Sequence, residues 1–262
     1  FFQGRVEKFD EPDANALRDV VPQNRLRVYD TRAAISGIAD TGSVLELRTG
    51  FGKGIHTALA RIAGRPVGII ANNPLHLGGA IDADAADKAA RFMQLCSAHG
   101  IALASLVDTP GFMVGPEIEK QAQVRHASRM FIAAAHLRVP FLGVVLRKGY
   151  GLGAMAMCAG GFHEPDATVA WPTGEFGAMG LEGAVKLGYR KELQAQPEGD
   201  ARDALYEQLV AKQYAAGQAI NMAATLEIDA VIDPAQTRAW LVRALDSARM
   251  KRPPEGGPAV DS

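Results

Sequence analysis

The chain is poor in cysteine, in net charge and in long apolar runs, and each shortage excludes a class of protein. Its 262 residues include only two cysteines, Cys96 and Cys158, which cannot make a disulfide framework and favour reduced thiols in the cytoplasm. The formal net charge of −1 gives no electrostatic basis for binding nucleic acid or a membrane surface. No apolar stretch reaches the roughly 18 residues that a transmembrane helix needs. We therefore expect a cytoplasmic protein that binds neither nucleic acid nor a membrane.

Clustered catalytic and metal-binding side chains are also missing from the sequence. Neither Cys-x-x-Cys nor His-Glu-x-x-His occurs, so we expect no metal in this domain. No Ser/His/Asp set and no pair of carboxylates stands out as a nucleophile or a general base. Any chemistry must therefore rely on other groups, the backbone included.

What the chain does contain is an alternation of strand-like and helix-like segments. Short apolar runs bounded by turn residues predict strands. Residues 82–98 carry apolar residues at helical spacing, on one face of a predicted helix. Strands alternating with helices predict an α/β fold with mostly parallel pairing. The predicted strands are 44–48, 58–63, 66–71, 101–107 and 168–171, with helices over 82–98, 118–134 and much of 200–250.

The most informative stretch is an apolar run followed by a glycine-rich turn and a short Ala/Met helix. Residues 139–146 predict a buried strand, and Gly149, Gly151 and Gly153 follow it closely. Glycines allow a ligand to approach backbone N–H groups, and the beginning of a helix adds a partial positive charge. Such donors stabilise negative charge that develops on an oxygen, as in an oxyanion hole. The alternative is a glycine turn that only allows tight helix packing.

Two other turns carry weaker signals of the same kind. The strand over 101–107 ends in residues 108–112, where Pro110 lacks an N–H but Gly111 and Phe112 retain theirs. This turn is either a second set of donors or a plain loop. Gly78 and Gly79 are, with equal weight, a loop beside the site or only a turn.

The charged residues near these turns also have structural interpretations that involve no ligand. Arg147 and Lys148 follow an apolar run; they either attract anionic groups or are solvated charges at a strand end, and we favour the second interpretation. His126, which follows Arg125 in a predicted helix, is interpreted as a hydrogen-bonded structural residue.

The order of several motifs along the chain carries a resemblance to a known family. The chain resembles the C-terminal domain of the carboxyltransferase (beta) component of biotin-dependent acyl-CoA carboxylases of the acetyl-/propionyl-CoA carboxylase type. The resemblance implies the crotonase-like fold, which is built from repeated ββα units and here ends in C-terminal helices. The matching stretches are residues 17–22, 64–72, 88–92, 107–112, 125–126, 147–151, 170–173, 179–180 and 182–185.

The resemblance also implies a site and its cofactor. The cofactor is biotin, delivered in carboxylated form on a carrier protein. The backbone of Gly151, Leu152, Gly153 and Ala154 would form the oxyanion hole for biotin. Without a gap the facing amides are those of Leu152 and Gly153, whereas a slide of one residue makes them Gly153 and Ala154. The remaining residues that would bind substrate or biotin are Gly111, Phe112, Tyr150, Met155, Gly78 and Gly79.

One departure from the family pattern concerns the acyl group. Met155 stands where many members carry an acidic residue that helps to select short acyl groups. An apolar side chain there suggests a longer or different acyl group.

The family pattern also implies how the chain is organised and what it assembles with. Residues 1–30 resemble the linker after an N-terminal carboxyltransferase domain that binds the acyl-CoA, residues 31–250 form the crotonase-like domain, and residues 251–262 a flexible tail. The expected partners are biotin carboxylase and the biotin carboxyl carrier, in a homo-oligomeric enzyme. Three alternatives stay open: a biotin-dependent decarboxylase subunit, a crotonase-type hydratase or isomerase, and a non-catalytic oligomerisation domain.

Overall fold

One mixed sheet of eight strands organises residues 4–248, the part of the chain that the computed structural model describes. The strand order is β1-β2-β3-β4-β5-β6-β8, and β7 pairs with the end of β5. The strands are β1 Leu45–Leu47, β2 Ile55–Ile62, β3 Arg65–Asn72, β4 Ala102–Thr109, β5 Phe141–Tyr150, β6 Ala167–Ala170, β7 Glu175–Gly177 and β8 Ala230–Val231.

Helices connect the strands and cover the sheet. They are α1 Arg32–Ile38, α2 Ala83–Ala98, α3 Pro116–Glu119, α4 Gln123–Ala135, α5 Gly151–Met157, α6 Leu181–Gly188, α7 Arg190–Ala195, α8 Asp200–Ala216, α9 Ala219–Ala224 and α10 Thr237–Ser247. Among these described residues, no helix is long and apolar enough to cross a membrane.

The sheet changes direction once along its strand order. The first three strands are antiparallel, and the pairs from β3 onward are parallel. Ala63 and Gly64 join β2 to β3 with φ values of 51° and 75°, the pair of positive φ angles that a tight two-residue hairpin requires. The parallel strands therefore end at one common edge, which is where α/β proteins usually bind ligands.

Two apolar layers lie on opposite faces of the sheet. The first includes Phe92 and Met93 of α2 and Met130 of α4, packed on Val107 and Val145. Ala85, Ala89, Phe92, Met93 and Cys96 are all buried, which confirms the apolar helix face expected from the sequence. Asp82 caps this helix by accepting a hydrogen bond from the amide of Ala85.

The second layer corrects the expectation that residues 1–30 lie outside the core. Ala14–Asp19 forms a 3-10 helix, and Leu17, Val21 and Tyr29 are buried in the second layer. Leu17 packs so closely on α1 that a Cβ added at Gly37 would overlap its side chain. Part of this segment is therefore core, whatever it connects to.

Two predicted helices are shorter than expected. The segment predicted as one helix over 118–134 is broken at Ala122, which has a left-handed φ of 57°. The helical C-terminal segment is interrupted after Gly217 and again by β8. Asp233 caps the 3-10 helix Pro234–Gln236 rather than α10 itself. The predicted tail, residues 251–262, lies outside the described residues.

Candidate functional site

The candidate site lies where β4 and β5 end, at the common edge of the parallel strands. β5 runs to Tyr150, and α5 begins at Gly151 without a connecting loop. Gly151 makes this sharp junction because its φ of 57° belongs to the left-handed region. A Cβ at Gly151 would also lie 2.7 Å from the carbonyl oxygen of Ala178. The junction therefore requires glycine on two grounds.

The two glycine turns predicted from the sequence are packed against each other. A Cβ added at Gly153 would lie 2.7 Å from Cα and carbonyl C of Gly111 and 2.9 Å from the amide nitrogen of Phe112. Gly111 itself has a φ of 120°. The structure thus brings the turn after β4 and the turn after β5 into direct contact.

The beginning of α5 presents backbone donors that the helix does not use. Gly151, Leu152 and Gly153 are its first three residues, and the N–H groups at such positions have no acceptor within the helix. The side chain of Leu152 is 63% exposed. Ala154 is the fourth residue, where the N–H points back along the helix. Helix geometry therefore favours Leu152 and Gly153 over Gly153 and Ala154 as the pair of amides without an acceptor in the helix; of the two, Leu152 is exposed and Gly153 is buried.

The turn after β4 offers one donor fewer than the sequence suggested. The amide of Gly111 already donates to Oγ1 of Thr109, at 3.1 Å. The prediction that this amide could donate to a ligand is therefore wrong. Its carbonyl oxygen accepts from the amide of Ile81. The amide of Phe112 remains as the donor of this turn, and the Phe112 ring lies 6.4 Å from that of Phe131.

Behind the two turns lies a buried ion pair. Oδ2 of Asp108 accepts from Nε of Arg147 at 3.1 Å and lies 3.0 Å from the second terminal nitrogen of that guanidinium. The two side chains are 0% and 4% exposed. The expectation that Arg147 is a solvated charge is therefore wrong: a buried guanidinium needs a carboxylate partner, and the neighbouring strand supplies it.

Lys148 connects the same carboxylate to the loop of Gly78 and Gly79. Its Nζ donates to the carbonyl oxygen of Gly78 and lies 3.5 Å from Oδ1 of Asp108. Gly79 packs so tightly on the backbone of Asp108 that no side chain fits there. Burial lowers the pKa of Lys148, and the charge of Asp108 opposes that shift. The loop of Gly78 and Gly79 thus adjoins the site.

Tyr150 lies directly before α5, and its side chain belongs to a hydrogen-bonded network. Its hydroxyl donates to Oε2 of Glu175 at 2.9 Å, and Oε1 of Glu175 lies 2.7 Å from Nε of Arg25. Burial, followed by the charge of Glu175, raises the pKa of Tyr150. This side chain therefore anchors the residue that precedes α5.

Met155 lies one turn along α5 and is half-buried. Its terminal methyl group lies 4.0 Å from the position of a Cβ added at Gly161. No other position of this helix supplies an acidic side chain, since residues 151–157 carry no charged side chain. Within residues 4–248, no group of three or more His, Cys, Asp or Glu side chains gathers as a metal site would.

Comparison with known proteins identifies the family. A family profile described as "Carboxyl transferase domain" matches residues 3–255. The chain belongs to the carboxyl transferase domain family. Its fold is the crotonase-like fold, as in the solved carboxyltransferases that it resembles.

Three curated relatives show the range of the family. The chain is 41% identical over 236 residues to the methylmalonyl-CoA carboxyltransferase 12S subunit of Propionibacterium freudenreichii subsp. shermanii, covering 90% of the chain and 44% of the relative. It is 36% identical to the carboxyltransferase subunit of propionyl-CoA carboxylase from Haloferax mediterranei, covering 95% and 48%. It is 34% identical to the methylmalonyl-CoA decarboxylase subunit alpha of Veillonella parvula, covering 94% and 47%. The chain therefore spans about half the length of these relatives.

Two solved structures match the chain over almost all of its length. A single-chain, multi-domain long-chain acyl-CoA carboxylase superposes with a TM-score of 0.86 at 56% identity, covering 93% of this chain and 24% of that one. The transcarboxylase 12S crystal structure, whose title describes a hexamer assembly, superposes with a TM-score of 0.85 at 38% identity, covering 95% and 48%.

Sequence reasoning missed the side chains that support the two turns. Asp108 was considered only as part of a turn, and the contact of Glu175 with Tyr150 and Arg25 was not anticipated. A signal for the first was present: residues 101–107 and 139–146 are apolar runs that end in Asp108 and in Arg147. Adjacent parallel strands place such opposite charges at one edge of the sheet.

Proposed function

We propose that this chain is the biotin-binding half of an acyl-CoA carboxyltransferase. The contact between the two glycine turns is the observation that carries the proposal, because it gathers the amides of Leu152, Gly153 and Phe112 in one place. The family match supports carboxyl transfer as the reaction class. The activity of the whole enzyme would require the half of the relatives that this chain does not match.

The chemistry explains why backbone donors are the groups that such a site needs. Bound carboxybiotin would supply CO₂ to the α-carbon of an acyl-CoA, and the ureido group left behind would carry negative charge on its oxygen and take up the α-proton at nitrogen. Backbone amides of Leu152 and Gly153 would hold that oxygen in place, and the amide of Phe112 would support them from the second turn. Fixed donors of this kind need not reorganise as the charge develops. No side-chain base is required, because the ureido nitrogen would take the proton.

The residues fit this group because glycine lets the backbone segments around the turns pack closely together. Gly151, Gly153 and Gly79 each lie against backbone where a Cβ would clash, and the contact of Gly153 with Gly111 and Phe112 brings the two turns together. The exposed Leu152 side chain and Met155 line the same helix. We place Gly78, Gly79, Phe112, Tyr150 and Met155 around the bound groups.

The choice of acyl group is the finer part of the proposal. Met155 replaces an acidic side chain with an apolar one, and the solved long-chain acyl-CoA carboxylase shares 56% identity with the chain, against 38% for the transcarboxylase 12S structure. Both observations favour an acyl group longer than propionyl. We propose a homo-oligomer that receives biotin from carrier and biotin carboxylase components in the cytoplasm.

The decarboxylase relative keeps the reverse direction open. The same backbone donors serve both directions, since one transition state is common to them. The partner that copurifies from the source cell decides: a biotin carboxylase indicates carboxylation, and a membrane decarboxylase component indicates the reverse.

The experiment that tests the proposal uses the chain joined to its acyl-CoA-binding half. The joined enzyme is incubated with free biotin and a carboxylated acyl-CoA whose carboxyl group is labelled. We expect label to leave the acyl-CoA in a biotin-saturable manner, while the isolated 262-residue chain shows little or no turnover. Turnover that does not depend on biotin, or full turnover by the isolated chain, would contradict the proposal. A non-catalytic oligomerisation domain would bind no biotin at all.

A further inference from the structure

We propose that the buried Asp108–Arg147 pair is a positioning device that sets the separation of the two donor turns, an inference that rests on the proposed function. Asp108 lies three residues before Gly111, and Arg147 lies four residues before Gly151. The pair joins β4 to β5 immediately below the two turns whose contact assembles the donors.

A β-bulge aims Arg147 at its partner. Val107 pairs with Val145, and Thr109 pairs with Gly149. Between these two pairs β4 advances by two residues and β5 by four. Val145 lies in the first apolar layer, and regular alternation would place Arg147 there as well. Instead, Arg147 donates to the carbonyl oxygen of Arg27 at 2.8 Å. Bulges near functional sites commonly redirect a side chain in this way.

Arg147 also fixes the segment before α1 against the sheet. Its guanidinium carbon lies 4.9 Å from the centre of the Tyr29 ring, and Tyr29 belongs to the second apolar layer. One side chain therefore ties together the ends of two strands and the segment over residues 25–29. A rigid support of this kind is what a donor set needs when small displacements weaken transition-state binding.

Asp108 is held equally firmly by the backbone around it. Its Oδ1 accepts from the amide of Lys148 at 3.1 Å, and its own amide donates to Oδ1 of Asn72 at 3.0 Å. The ends of β3, β4 and β5 thus meet at this one residue. Lys148 extends the connection to the carbonyl oxygen of Gly78.

The test separates positioning from stability with a pair of buried ion pairs. Asp40–Arg238 is the matched control pair. Nη2 of Arg238 lies 2.6 Å from Oδ1 of Asp40, and the side chains of Asp40 and Arg238 are 3% and 7% exposed. It also sits beside the Ala63–Gly64 turn, at the edge of the sheet opposite the candidate site. The variants are Asp108→Asn, Arg147→Met, Arg147→Lys, the double variant Asp108→Asn/Arg147→Met, and Asp40→Asn/Arg238→Met, all in the enzyme joined to its acyl-CoA half.

Asp108→Asn and Arg147→Met each leave one buried charge without its partner, so each should lower the melting temperature. The double change removes both charges of the pair and should restore part of that loss, since a buried pair can often be replaced by neutral groups with little effect on stability. The recovery stays partial because Lys148 also loses the carboxylate of Asp108, although it keeps its bond to the carbonyl oxygen of Gly78. We expect the double variant to keep a kcat about 100-fold below wild type and an unchanged KM for the acyl-CoA, since losing one oxyanion donor costs a factor of this size. Arg147→Lys should recover part of kcat relative to Arg147→Met.

Two readouts besides turnover decide the matter. Free biotin should bind at least tenfold more weakly to the double variant, and amide hydrogen exchange should become faster in residues 108–113 and 151–155. The Asp40→Asn/Arg238→Met control should lose stability without either change. Recovery of kcat together with stability, or the same loss of biotin affinity in the control, would overturn the inference. Failure of the proposed function would look different, since wild type itself would then show no dependence on biotin.

Discussion

Gly153 packs on Gly111 so closely that a methyl group on the first would lie 2.7 Å from the backbone of the second. This contact is local in space but spans more than forty positions of sequence. It depends on β4 and β5 being parallel neighbours, so that the residues following each strand meet at one edge of the sheet. The candidate site is therefore a product of the topology rather than of either turn alone.

A first prediction is that Gly153→Ala disturbs both turns. The added Cβ must displace backbone, which usually costs about 1–3 kcal/mol, and the displacement separates the donors. We expect a lower melting temperature and at least a 100-fold loss of transfer, measured by calorimetry and by the labelled-acyl-CoA assay. Gly153→Val, a more drastic change, would not leave the local structure intact. Gly188→Ala is the control, because nothing lies within 4 Å of its added Cβ; wild-type behaviour of Gly153→Ala would refute the contact.

A second prediction concerns acyl-chain preference. Met155→Asp should lower kcat/KM for a long-chain acyl-CoA at least tenfold relative to propionyl-CoA, because a carboxylate beside an apolar chain is costly to desolvate. Met155→Leu keeps an apolar side chain and serves as the control. Competition between the two acyl-CoA substrates in one reaction measures the ratio directly. An unchanged ratio in Met155→Asp would mean that this residue does not contact the acyl group.

A third prediction is a pH dependence of stability that arises from His56. The side chain of His56 is 3% exposed, and its Nδ1 lies 3.0 Å from Oε1 of Glu46. Burial lowers the pKa of His56 below 6.5, although Glu46 opposes the shift. Below pH 6.5 the unfolded chain takes up a proton that the folded chain refuses, so the free energy of unfolding decreases as pH falls toward the folded-state pKa.

The measurement for His56 is urea unfolding between about pH 5.5 and 7.5, in wild type and in His56→Gln. Other groups titrate in both proteins, so the difference between the two curves isolates His56. The wild-type protein should lose more stability on acidification than the variant. Parallel curves would show that this histidine keeps an ordinary pKa.

A fourth prediction is that both cysteines are unreactive in the folded protein. Cys96 and Cys158 are 0% exposed, and burial raises the pKa of each thiol to about 12. The thiolate is the reactive form, so an alkylating reagent at pH 8 should modify neither until urea is added. Modification of either thiol in the native protein, at a rate near that of a free thiol, would contradict the burial.

Much of the fold followed from local sequence patterns, and the exceptions have physical causes. The helix over 82–98 was predictable because its apolar face, its Asp82 cap and the following Gly100 agree. The break at Ala122 was not, because alanine is unfavourable in the left-handed region and nothing in its sequence neighbourhood predicts that conformation. The buried position of Leu17 was likewise not predicted, since a six-residue 3-10 helix is too short to carry a periodic signal.

The glycine turns of the site were predictable from the sequence, but the side chains that support them were not. Glycines at 111, 151 and 153 identified both turns, because glycine permits the positive φ of Gly111 and Gly151 and the close backbone approach at Gly151 and Gly153. Arg147 was predicted wrongly as a solvated charge, because its partner Asp108 lies on the neighbouring strand and a bulge shifts the register between the two strands there. Pairing across a bulge is set by long-range contacts, which a single sequence does not reveal.

The central claim is that backbone amides at the beginning of α5 hold the negative oxygen of biotin. Replacing Leu152 by the corresponding α-hydroxy acid converts one amide to an ester and removes the N–H without adding an atom. The same replacement at Ala201, the second residue of α8 and also exposed, is the matched control. We predict that the ester at position 152 lowers kcat for biotin-dependent transfer about 100-fold while the ester at position 201 leaves it unchanged. Equal rates for the two esters would contradict the account.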